Sequence, residues 1–132
     1  MERPAVGDEE FLDIAKDPAR ARALRKSLQR LADSRDETLR EMAREVLAGR
    51  IGLRQAARNG AYREALSEGA KAGMRAYDRM SAEERLAAEA EGRRQLDECQ
   101  GEIDRERAER QGERARGRKG GEAPHESRGW RL

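Results

Sequence analysis

The sequence predicts an all-α protein: a helical bundle of about five short helices over residues 1–80, a charged extended helix over 81–116, and a disordered C-terminal tail over 117–132. Three observations carry this reading. Apolar side chains recur at intervals of three and four, the helical period, with no period-two alternation. Only 3% of residues are aromatic, and the β-branched residues that favour a pleated surface are few. Large apolar residues are also concentrated early, seventeen between Phe11 and Met80 against five after Ser81. A packed unit therefore belongs to the first part of the chain.

The elements follow in order. Asp8 to Lys16 reads as a short helix opened by acids, with Phe11, Leu12 and Ile14 supplying apolar contacts. It ends before Pro18, which disfavours helical backbone in its predecessor. Asp17 then caps a second helix with Pro18 as its first residue, and Ala21, Leu24, Leu28 and Leu31 fall on one face. Ser34 or Asp36 caps a third, whose stripe is Leu39, Met42, Ala43, Val46 and Leu47 and whose stop is Gly49. Ile51 to Arg58 is a short amphipathic piece that closes at Asn59-Gly60, a turn between helices. A fifth helix spans about Ala61 to Met80, its inward row being Tyr62, Leu66, Gly69 or Ala70, Gly73 and Tyr77. Two glycines four apart inside a helix predict close approach of another backbone there.

Ser81 and Glu84 form a capping box ahead of Leu86 and open the long helix. Leu96 and Ile103 lie one heptad apart with no sustained repeat, so a coiled coil is not predicted. Charge pairs at three and four residues, such as Glu89 with Arg93 and Glu91 with Arg94, support the helix instead. From Gly117 the glycines and Pro124 read as a tail ending near Trp130.

Composition excludes several functional classes. Leu, Ile, Val and Phe number 17, while 22 of the apolar residues are alanine, so the core is small. The only histidine is His125 and the only cysteine Cys99, too few for a zinc site or a Cys-His couple on a rigid scaffold. No glycine-rich phosphate loop is present. No catalytic, cofactor-binding or metal-binding residue is expected, and no cofactor or small-molecule substrate. Cys99 reads as an incidental thiol on a helix rather than a redox or crosslinking site, and a lone cysteine fits a reducing compartment. No uncharged run exceeds four residues, whereas a membrane span needs about 20 apolar residues and a signal segment about 7 to 15. A cytoplasmic location and no membrane span are expected.

Charge is segregated. The net charge is 0 over residues 1–33, +3 over 34–80, −5 over 81–104 and +4 over 105–132. Pro18 to Ala32 has no acid but holds Arg20, Arg22, Arg25, Lys26 and Arg30, most of them opposite the leucine stripe. Val46 to Arg63 is also acid-free and sets Arg50, Arg54 and Arg58 at intervals of four. Cation rows on rigid elements suit phosphate or an acidic partner helix. In a chain with 25 arginines against 4 lysines they equally suit a solvated face.

Ala48 and Gly52 have the spacing of a helix-turn-helix turn, but Gly49 and Arg58 occupy positions that weaken that reading. Arg114, Arg116, Arg118 and Lys119 end the charged helix, where cations complement the helix dipole, and count as an auxiliary contact. "RGRK" at 116–119 lacks the flanking prolines of a minor-groove arginine hook. The function expected is therefore a helical interaction or adaptor protein that binds a protein partner, or itself as a homo-oligomer, through apolar helix faces. Nucleic-acid binding through the two cation rows is the alternative.

Overall fold

The computed structural model describes residues 5–122, with side chains through residue 117. The protein is all-α: α1 (Leu12–Ala15), α2 (Pro18–Leu31), α3 (Glu37–Leu47), α4 (Leu53–Arg58), α5 (Gly60–Arg79) and α6 (Ala82–Glu122), with a 3₁₀ turn at Asp8–Phe11 leading into α1. No strand occurs among the described residues. The long charged helix runs through Gly117 to Glu122, beyond the stop expected at Arg116. One interior glycine costs about 1 kcal/mol, too little to end a helix by itself. The expected tail lies, from residue 123 on, outside the described residues. The chain forms two compact units, Met1–Cys99 and Gln100–Leu132, divided inside α6.

Helices α2, α3, α5 and α6 each begin at a side-chain cap, whereas α1 and α4 have none. The Asp17 carboxylate accepts from the Arg20 N–H at 2.9 Å, and that of Asp36 from the Leu39 N–H at 2.9 Å. Asn59 caps α5 through the Tyr62 N–H, so the Asn-Gly pair is a helix start. Ser81 and Glu84 bond reciprocally, Glu84 N–H to Ser81 Oγ at 3.1 Å and Ser81 N–H to Glu84 Oε1 at 2.8 Å. The end of α3 is a Schellman motif. Gly49 takes a left-handed φ of 78°, with Gly49 N–H donating to Val46 O and Arg50 N–H to Glu45 O. Two α3 arginines serve the end of α2: Arg44 donates to the Ala32 carbonyl at 3.0 Å and Arg40 to that of Ser34 at 3.1 Å.

The core is small and rich in alanine. Phe11, Ala21, Leu28, Met42, Ala43, Val46 and Ala56 form the buried cluster, with Leu24, Leu31, Leu39, Leu47, Ile51, Leu53, Tyr62 and Leu66 packed at its edge. Alanines at 21, 43 and 56 admit close helix approach, while Phe11 and Met42 fill the volume. The 3₁₀ turn and α1 total eight residues, too few to hold helical structure alone. They are fixed by Phe11 and by an ion cluster. Asp8 accepts from Arg22 Nε at 2.9 Å and from Arg25 Nε at 2.5 Å, both on α2. Burial pushes the Asp8 carboxyl up, but the hydrogen bonds from Arg25 and Arg22 outweigh it and hold the group below its ordinary value.

α5 is docked over its first half only. Tyr62 and Leu66 are partly buried, but every residue from 67 to 79 is exposed. A Cβ built at Gly69 or Gly73 meets nothing within 4 Å, so the close backbone approach expected of these glycines does not occur among the described residues.

Two predictions follow from this packing. Asp8→Asn should destabilise the protein by about 2–3 kcal/mol in urea titration, because the buried Arg22 guanidinium loses its carboxylate. A depressed carboxyl contributes stability that is full above its unfolded pKa of about 4 and is lost as pH falls through the folded value. Wild-type stability should therefore drop below about pH 4, and Asp8→Asn should remove that part of the drop. Gly69→Ala and Gly73→Ala should each stabilise by up to about 1 kcal/mol, seen as a higher melting temperature. A loss of stability on either substitution would show that the glycines are needed in the fold.

Candidate interaction groove

An apolar groove of about 430 Å³ opens beside the core, within the first unit. Ile14 of α1 forms one edge, Leu24, Ser27, Leu28 and Leu31 of α2 one wall, and Met42 of α3 lines it as well. Leu53, Arg54 and Ala57 of α4 and Leu66 of α5 complete the lining. Five helices thus contribute, and all ten lining residues but Arg54 carry no charge. The predicted α2 stripe is what builds it: Leu28 is buried to 3% exposure, while Leu24 and Leu31 are only partly covered. Ile14 and Leu66 join from elements distant in sequence, which no local spacing signals. The short α4 is set across from α2 because the Schellman motif turns the chain sharply after α3.

The cation rows are largely drawn into the fold. Arg22 is only 8% exposed, so it does not stand on a solvent ridge. It and Arg25 face inward because Asp8 provides a carboxylate beside the core. Arg20 pairs with its own cap, Asp17, at 2.7 Å, and the backbone and side-chain hydrogen bonds of Arg20 lower the Asp17 pKa. Lys26 and Arg30 line a 210 Å³ cleft whose other wall is Arg94, Gln95, Glu98 and Cys99 of α6. Arg30 also donates to Ser27 Oγ at 3.2 Å. The acid-free helix is thus apposed to part of the acidic stretch of α6.

The second row is broken at its start. Arg50 precedes α4 and pairs with Glu45 at 2.9 Å, and its hydrogen bond lowers the Glu45 pKa. Arg54 lies 3.4 Å from Asp13, and Arg58 is exposed. Asp8, Asp13 and Glu45 are partners that residue counting within acid-free stretches cannot find, since they lie outside those stretches or at their edge. α4 has six residues, short for a helix-turn-helix recognition helix. Arg114 and Arg116 are exposed on α6 in the second unit, and the side chains of Arg118 and Lys119 lie outside the described residues.

Cys99 is buried, at 2% exposure, beside the α2 cleft; the sparse apolar pattern of α6 concealed this. On α6 the predicted Glu91–Arg94 pair forms, and Arg94 reaches Glu98 as well at 2.7 Å. Among the described residues no three His, Cys, Asp or Glu converge as metal ligands, and no helix is long and apolar enough to cross a membrane. His125 lies outside the described residues.

No protein family, curated protein or solved structure matches the chain. The site must be argued from its own geometry. A groove walled by helices, apolar at its base and open along its length, is suited to side chains projecting from one face of a partner helix.

The cleft between α2 and α6 is testable through its thiol. Lys26→Glu combined with Arg30→Glu should set two acids against Glu98 and speed labelling of Cys99 by a thiol reagent. About fivefold is expected for each ~1 kcal/mol lost in closing the cleft. An unchanged labelling rate would show that charge apposition contributes nothing there.

Proposed function

We propose that this protein is a non-enzymatic helical interaction protein that binds a protein partner through the apolar groove of its bundle. The observation that carries the reading is the groove itself: about 430 Å³, formed by five helices, and left open beside a core too small to close it. Isolated exposed apolar residues are ordinary on a protein surface, whereas a contiguous apolar concavity with a polar rim marks a recognition site. Leu24, Leu31 and Leu53 are only partly covered there, although burying them against other helices of the chain would stabilise the bundle.

Nucleic-acid binding draws less support. Of the eight cations in the two predicted rows, Arg20, Arg22, Arg25, Arg50 and Arg54 each have a carboxylate within 3.4 Å. Phosphate contacts would have to replace these pairs, and Arg22 would have to leave the protein interior. Reversal of Arg22 would also disrupt folding, so a loss of binding on that substitution would not report on nucleic acid.

The test is residue-specific photo-crosslinking in the cells that express the protein. A leucine-sized diazirine amino acid at position 31, a half-buried lining position, should give a discrete protein adduct. The same group at position 83, at the start of α6 and outside the lining, should not. Equal adduct patterns at the two positions, or none at 31, would refute binding through the groove.

A further inference from the structure

We infer that the groove takes an acidic amphipathic helix, an inference that rests on the interaction reading above and adds the chemistry of the partner. The argument is charge complementarity. The two helices that supply most of the lining, α2 and α4, contain no acid at all. Arg54 lines the groove, and Arg58, one turn further along α4 and so on the same face, is exposed. Arg63 stands three residues before the lining residue Leu66, on the same side of α5, and is also exposed. The nearby α5 acids, Glu64 and Glu68, lie two positions to either side of Leu66 and so point away from it. Asp13 offsets one of the three cations through its 3.4 Å contact with Arg54. The rim is therefore net positive around an apolar floor.

This arrangement selects its occupant by charge sign. An apolar helix face would fill the floor but leave the rim cations desolvated against nothing, at a cost in affinity. A basic helix would add like-charge repulsion. A helix with leucine-type anchors at i, i+4 and i+7, flanked by glutamates or aspartates, satisfies both floor and rim. A second copy of this chain offers no such face in its first unit: there the acidic stretch of α6 carries Leu86 as its one exposed large apolar residue.

The experiment measures fluorescence anisotropy of two synthetic, lactam-bridged helices with the full chain. Both carry the same leucine row, one flanked by glutamates and the other by lysines. The glutamate peptide should bind at least about tenfold more tightly than the lysine peptide, most strongly at low salt. In Arg58→Glu/Arg63→Glu the preference should invert. Ala57→Trp, which fills the floor from an exposed helical position, should lose both peptides, with circular dichroism confirming that each variant is folded. Equal binding of both peptides, still lost in Ala57→Trp, would overturn the acidic-partner inference while leaving the groove as an interaction site. Binding of neither peptide would overturn it as well, and the position-31 crosslinks would then decide the broader reading separately. Displacement of the glutamate peptide by duplex DNA would overturn it in favour of phosphate. Dimerisation lost in Ala57→Trp would overturn it in favour of a second copy.

Discussion

Asp8 sits between two arginines of α2, and the docking of the N-terminal segment on the bundle depends on that contact. The 3₁₀ turn and α1 have no helical stability of their own at their length, and they reach the core through one large buried side chain, Phe11. Stability in a domain of this size is a small difference between large terms. A carboxylate held by two charge-assisted hydrogen bonds, with Arg22 nearly sealed from water, is then a substantial part of that difference. The contact also orients the segment. With Asp8 fixed on α2 and the Val6 N–H donating to the Leu47 carbonyl at 2.8 Å, the N-terminal stretch spans from α2 to the end of α3. Ile14 is thereby placed in the lining of the groove, so the groove's shape depends in part on the Asp8 ion cluster.

The same principle explains why the charge pattern looked like a binding surface. A helix without acids beside a long helix rich in them can serve an external partner or an internal one. Lys26 and Arg30 facing Arg94 to Cys99 across one cleft favour the internal account for α2. Arg58 and Arg63, on the α4 and α5 side of the groove, are exposed and have no ion pair among the described residues. The relevant density of charge is that left after internal pairing.

How far the sequence was legible follows from the range of each interaction. Caps at Asp17, Asp36 and Ser81 act over three residues, and each forms where the residue pattern places it. The apolar stripes of α2 and α3 were readable for the same reason, because helical periodicity is local. The contacts that decide the site are not local. Asp8 lies 14 and 17 positions from its arginines, and Arg54 lies 41 from Asp13. Acid-free stretches therefore resemble rows of free cations, because their partners lie at or beyond the stretch boundaries. Gly69 and Gly73 misled in another way. Their spacing is identical in a helix that packs closely against another and in one that packs against nothing, and only the presence of a neighbour distinguishes them.

That bare half of α5 has its own logic. From residue 67 to 79 the helix lacks tertiary cover, yet its end is bonded. Arg85 donates to the carbonyls of Tyr77 and Asp78, both at 3.1 Å, and lies 4.8 Å over the Tyr77 ring. These bonds satisfy carbonyls that a helix terminus leaves without partners, and the capping box then starts α6 at once. The corner is thus locally well made, while the helix leading to it is weakened by two glycines. Opening free energy must consequently fall along α5 from Leu66, anchored in the bundle, to Gly73, held only by its own turn. The docked end lines the groove and carries Arg63 beside it, so the rigid part of α5 is the part that the proposed recognition uses. Flexibility further along can be tolerated because nothing in the groove rests on it.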